Sequence, residues 1–259
     1  MHERLSFFVK RESPIHRLNP LTKVVMAFSL VLIVFISPWY WTPPILFLVA
    51  IVPLSITARV AREYWNFFLK IILPTITILF MMQAFFLPGE SRIVFQIFGL
   101  EITELSLQLA FRNATRIAVM VSSFTILLLT THPSELMSDL TRRGLPGQFA
   151  YVVISSLQII PQMQAKAQTI ISAQRSRGLD TQSSFFRRAG AIVPLVGPLV
   201  FGSLVEVEER AIAIEARGFT STRPKTSLHD IPDTSLDRVL RWMLISLVVV
   251  TLALRIWLS

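Results

Sequence analysis

Cysteine is absent from this 259-residue chain, which excludes disulfides, thiol nucleophiles and cysteine-bound metal centres. Charge is scarce: 16% of residues are Asp, Glu, Lys or Arg, against about 25% in soluble domains. No Gly-x-x-x-x-Gly-Lys-[Ser/Thr] phosphate loop occurs, so any ATP chemistry must belong to a partner. The four histidines, His2, His16, His132 and His229, are scattered through predicted loops, with no pair at metal-ligand spacing on a helix. Asp139, Asp180, Asp230, Asp233 and Asp237 each fall in a polar connection. No Asp pair lies in a span, which argues against a lipid-phosphate transferase, an enzyme class that clusters Asp around Mg²⁺. Met1–Lys23 is polar and basic, without the apolar core of a cleavable signal peptide.

What remains is apolar. Hydrophobic residues make up 53% of the chain, mean hydropathy is +0.59, and long apolar runs predict an all-α integral membrane protein. A net charge of +9 then reports cytoplasmic loops rich in Lys and Arg, not nucleic acid. Five stretches approach the ~20 residues a spanning helix needs: Leu21–Tyr40, Pro43–Ala61, Phe67–Leu87, Leu105–Thr130 and Val239–Leu258. Arg4, Lys10, Arg11, Arg17 and Lys23 precede the first, and Arg59, Arg62 and Lys70 flank the second and third. That bias predicts a cytoplasmic N-terminus. The stretch Ser37-Pro38-Trp39-Tyr40-Trp41-Thr42-Pro43-Pro44 suits the headgroup belt, and Pro88–Glu104, with one cation, reads as an external loop.

Residues 131–236 carry 11 Lys or Arg and only two short apolar stretches, Phe149–Met163 and Ala189–Val205. If either crossed the membrane, cations would be stranded outside or Arg177 and Arg217 would face opposite compartments. We therefore expect residues 1–130 to hold transmembrane helices 1–4, 131–236 a cytoplasmic-side domain of amphipathic helices, and 237–259 the last span. Seven spans is the alternative count.

Within that region Ala173-Gln174-Arg175-Ser176-Arg177-Gly178 and Ala213-Ile214-Glu215-Ala216-Arg217-Gly218 share the pattern Ala-x-x-[Ser/Ala]-Arg-Gly, 40 positions apart. A third Arg-Gly-apolar ending is Arg143-Gly144-Leu145. Glycine past a helix takes the left-handed conformation that stops it, and a terminal Arg suits the helix dipole. Those reasons suffice for three ordinary stops. They do not require the repeated small residue or the repeated Ala. Small residues admit close approach, and a guanidinium offers a fixed fork to a carboxylate. We read Ser176, Arg177, Gly178, Ala216, Arg217 and Gly218 as a matched pair of contacts. Glu206 and Arg210 are spaced for an i,i+4 pair on the helix entering the second motif.

These motifs resemble those of the transmembrane T component of energy-coupling factor (ECF) transporters, the CbiQ/EcfT family. The resemblance extends to His16-Arg17-Leu18-Asn19-Pro20-Leu21-Thr22-Lys23, to Thr130-Thr131-His132-Pro133-Ser134-Glu135-Leu136, and to Gly144-Leu145-Pro146. It implies two coupling helices, ending at Arg177 and Arg217, that dock on two cytoplasmic ABC ATPases using ATP and Mg²⁺. It implies no cofactor or catalysis in this chain. It also implies a small substrate-binding membrane subunit (S component) and uptake of a vitamin or a transition-metal ion such as cobalt or nickel. The location implied is a prokaryotic plasma membrane. Ser176 departs from the usual Ala-Arg-Gly. A permease moving a small solute through its own pathway is the competing reading.

Two further features stand out. Arg112 and Arg116, one turn apart in the fourth span, predict a polar seam near the external surface. Phe67, Phe68, Phe80, Phe85 and Phe86 read as helix packing and lipid contact, with a plastic partner surface as the use the resemblance implies.

Overall fold

The computed structural model describes residues 11, 13–86, 93–97, 100–178, 185–219, 221 and 232–258. The architecture is all-α, as the composition predicts. Helix α1 spans Pro20–Ile36 and α2 spans Thr42–Thr57. The helix α3 runs Ala61–Phe86, α4 Glu104–Thr130, α5 Pro133–Arg142, α6 Gly147–Ser176, α7 Phe185–Ala216 and α8 Ser235–Leu258. Three of these, α3, α4 and α8, are long and apolar enough to cross a membrane, while α1 and α2 are shorter apolar helices. Each overlaps one of the five predicted stretches, and three of the five meet the requirement for a span. Neither α6 nor α7 meets that criterion of length and hydropathy.

Helices α2 and α3 each contain one widened turn of π-type, at Phe47–Ile51 and Phe68–Ile72. Each ends two residues before a proline, Pro53 and Pro74. Proline lacks the N–H for an intrahelical bond and its ring crowds the carbonyl four residues back. An i→i+5 turn absorbs both defects without breaking the helix. The predicted external loop contains a two-stranded hairpin, β1 (Ile93–Ile97) and β2 (Leu100–Thr103), antiparallel with a register shift between Ile93 and Phe95. Its end feeds α4 directly: Thr103 and Ser106 form a reciprocal capping box.

The described residues fall into two compact units, one within Leu145–Asp230, the other made of Ser6–Gly144 and Ile231–Ser259. In the latter, α4 packs on α1 and α3, and α1 packs on α5 and α8. Val34, Ile51, Val60, Tyr64, Ile72 and Val119 are almost fully buried there. The Tyr64 hydroxyl donates to Ser122 Oγ at 2.8 Å, so its polar tip is satisfied. Phe68 joins this core against Tyr64 and Trp65, whereas Phe86 is 70% exposed. The phenylalanines therefore divide between packing and the outer surface. In the other unit, α6 and α7 pack against each other.

Candidate functional site

All three Arg-Gly endings share one backbone geometry. Gly144, Gly178 and Gly218 have φ of 110°, 88° and 72°, the left-handed region that side chains disfavour. Their N–H groups donate to Thr141, Arg175 and Glu215 carbonyls at 3.2, 3.0 and 2.8 Å. At the last, Phe219 N–H also reaches Ile214 O at 3.0 Å, completing a Schellman stop. The Phe219 ring packs on Tyr151 of α6, centroids 5.1 Å apart.

The side chains differ where the backbones do not. Arg143 is engaged inside the fold: it donates to Asp139 Oδ2 and to Asp233 Oδ2, both at 3.1 Å. Arg177 and Arg217 are exposed, and neither guanidinium has a partner among the described residues. Ser176, Ala216 and both glycines beside them are exposed as well. Identical stops thus carry one internal fastener and two unengaged cations.

The two unengaged ends are related by an internal equivalence. Helices α6 and α7 run antiparallel and touch at Met163 with Ser203, 3.3 Å, and at Lys166 with Glu206, an ion pair. Both pairs are 40 positions apart, the same offset as Arg177 and Arg217. These two contacts and the two motifs thus repeat at one sequence offset. Each Arg sits eleven residues past the ion pair on its own helix, roughly 17 Å of helix. The predicted Glu206–Arg210 pair along α7 does not form. Glu206 reaches Lys166, and Arg210 donates to Gln162 Oε1 at 3.3 Å, because the facing helix offers both charges a nearer partner. Beside the crossing lies an apolar groove of about 300 Å³, lined by Tyr151, Ile159, Val207 and Ile214.

Sequence reasoning missed a buried polar clasp at the N-terminal ends of α1 and α8. Asn19 caps α1 through its Oδ1, donates its N–H to Asp237 Oδ1 (3.0 Å), and donates Nδ2 to Asp139 Oδ1 (3.2 Å). Arg241 donates to both Asp233 oxygens, at 2.8 and 2.9 Å, and to Thr22 Oγ1. The Arg241 guanidinium, with Arg143 beside it, holds the Asp233 carboxyl below the usual carboxylate range. It is ionised at any physiological pH. The aspartates expected in separate polar connections are thus corrected: Asp139 lies in α5 and Asp237 in α8, both buried, and Asp233 joins them. Asp180 and Asp230 lie outside the described residues. Lys23, counted above among flanking cations, is also corrected. It is 1% exposed and donates to the His16 and Thr130 carbonyls at 3.0 and 2.9 Å, tying α1 to the end of α4.

His132 caps α5, its Nδ1 accepting from Ser134 N–H at 3.2 Å, so it is more than a loop residue. His16 bonds Ser13. His2 and His229 lie outside the described residues. Among the described residues no three His, Asp or Glu side chains are grouped to hold a metal ion. Arg112 and Arg116 lie on α4, and Arg116 donates to Ser37 O at 3.3 Å, at the end of α1.

A helical membrane protein with twin cationic helix ends, fastened by a buried clasp, is the class these features define. Residues 11–228 match the family model CbiQ, described as cobalt transport protein, and the chain belongs to that family. It is 31% identical to the energy-coupling factor transporter transmembrane protein EcfT of Leuconostoc gelidum subsp. gasicomitatum, covering 97% of this chain and 96% of the relative. The proteins of the same name from Listeria innocua serovar 6a and Bacillus subtilis are 29% and 31% identical. The first alignment covers 98% of this chain and 97% of the relative, the second 89% of each.

Proposed function

We propose that this chain is the energy-coupling T subunit of an ECF-type importer. It converts motion of two cytoplasmic ATPase subunits into movement of a substrate-binding membrane subunit, for uptake of a vitamin or transition-metal ion. The names of its relatives and its family support the transporter class. The observation that carries the finer reading is the pair of exposed, unpartnered guanidiniums at equivalent stops of two helices that pack on each other. Two matched tips fit two similar motors. Each tip, Ser176-Arg177-Gly178 and Ala216-Arg217-Gly218, offers a fork to a carboxylate beside a side chain small enough for close approach. Hydrolysis of ATP, with its Mg²⁺, belongs to the partners, and this chain supplies no catalytic group.

The clasp suits the same reading. Arg143 and Asp233, which flank the inserted segment, are bonded to each other, so pull arriving through either flank meets one ionic fastener. The cations of this membrane end, Arg11, Arg59, Arg62, Arg142 and Arg143, support a cytoplasmic side for it by the positive-inside bias. Arg217→Glu would set like charges together at a desolvated contact and cost about 2–5 kcal/mol there. The expected result is loss of ATPase copurification from detergent extracts, with the chain still inserted and folded. Full ATPase recovery and full uptake by Arg177→Glu/Arg217→Glu would reduce both motifs to helix stops.

A further inference from the structure

At the end of α1 opposite the clasp, three arginines converge without a counter-ion. Arg112 and Arg116 project from α4 and Arg255 from the last turn of α8, with Arg112 and Arg255 both within electrostatic reach of Arg116. Arg116 and Arg255 donate to Ser37 O and Ile36 O, at 3.3 and 3.4 Å, the last carbonyls of α1 and its cap. The Arg116 guanidinium also lies 5.7 Å from the Phe35 ring centre. None of this neutralises charge. Among the described residues no Asp or Glu pairs with any of the three, and Glu104 is taken by Gln108.

The polar accounting is also incomplete. The Nε atoms of Arg112 and Arg116 are buried and unpartnered, and the Arg112 guanidinium has no hydrogen-bond partner among the described residues. Two like charges facing Arg116, with unfilled donors on Arg112 and Arg116, are costly at the edge of an apolar slab. An anion filling the gap between them removes both costs together. The depth of the site says which anion. Trp39, Tyr40 and Trp41, two to four residues past Ser37, are 63%, 42% and 55% exposed, and Trp257, two past Arg255, is 82% exposed. Exposed Trp and Tyr at helix ends mark headgroup level.

We propose that Arg112, Arg116 and Arg255 form a binding site for a phosphate group, supplied by a phospholipid headgroup. Bound there, the phosphodiester bridges α4, α8 and the end of α1, and completes the donors that the chain leaves open. The site is separate from the coupling tips and does not rest on their reading.

The test uses the full chain, delipidated in an uncharged detergent. It is titrated with phosphatidylglycerol, with diacylglycerol lacking the phosphate, and with inorganic phosphate, read by native mass spectrometry and by Tm. Phosphatidylglycerol is expected to bind and raise Tm, with diacylglycerol inert. Arg112→Gln should weaken that binding about tenfold, the loss of one charge-assisted pair. Because the Arg112 guanidinium has no partner to lose and repels Arg116, the lipid-free Tm of that variant should not fall. Arg255→Gln, on a different helix, should weaken binding in the same direction. Equal binding of diacylglycerol, or undiminished binding by both variants, overturns the site. Protection by inorganic phosphate with none by phosphatidylglycerol overturns the headgroup assignment.

Discussion

Asp139 is one carboxylate serving two donors from different helices, Asn19 Nδ2 and Arg143 Nε, at a position only 2% exposed. Removing a buried partner strands the groups left behind, and that penalty exceeds the net worth of the original bonds. Asp139→Ala should therefore destabilise the protein by about 3 kcal/mol, visible as a lower Tm in detergent. Arg177→Ala, removing an exposed side chain with no partner in the described fold, should leave Tm where it was. Equal Tm losses from the two would contradict the division between fastener and tip. The sequence sets Arg177 and Arg217 apart from Arg143 only by the Ala-x-x-[Ser/Ala] pattern before them, and nothing in it shows that Arg143 is engaged inside the fold. The distinction comes from Asp233, 90 positions away. Lys23 is the same case: burial follows from carbonyls at His16 and Thr130, which no local pattern announces.

At the scale of elements, the spans were legible because the length of an apolar run is itself the physical requirement for crossing. The stops were legible because glycine alone accepts their backbone cheaply. That second point is testable at Gly218. A Cβ there would meet only Ser221 Cβ at 3.9 Å, ordinary contact, so space is not the obstacle. Its φ of 72° is. Gly218→Ala should cost about 1 kcal/mol and favour another helical turn, which rotates Arg217 away from its exposed position. ATPase copurification should fall, while Gly218→Asn, tolerant of the left-handed region, should retain most of it. Unaltered copurification by the alanine variant would mean that the stop does not set the tip. The widened turns in α2 and α3 were less legible. Pro53 and Pro74 were in view, but proline equally permits a kink or a break, and only packing of Ile51, Phe68 and Ile72 into the core selects the π-turn.

For the whole molecule, the proposed coupling role raises the question of how a displacement at one tip is felt at the other. A lever needs a stiff crossing, and this one is held by Met163–Ser203, by the Lys166–Glu206 pair and by apolar contact along the groove. The ion pair is about one-third to two-fifths exposed, so its net contribution to folding is small, at most about 1 kcal/mol. Its position between the two helices gives it a different importance, since any slip there changes the reach of both arms together. Lys166→Glu places two carboxylates at the crossing and should loosen it without touching either tip. The expected outcome is retained ATPase copurification with reduced ATP-driven uptake in reconstituted vesicles. Combining it with Glu206→Lys restores opposite charges in swapped places and should recover uptake. Recovery separates a requirement for the pair from a requirement for either residue, since a role for Lys166 alone would leave the double variant as impaired as the single one. Undiminished uptake by Lys166→Glu, folded and assembled, would remove the crossing from the transmission path and leave the coupling to the helix ends alone.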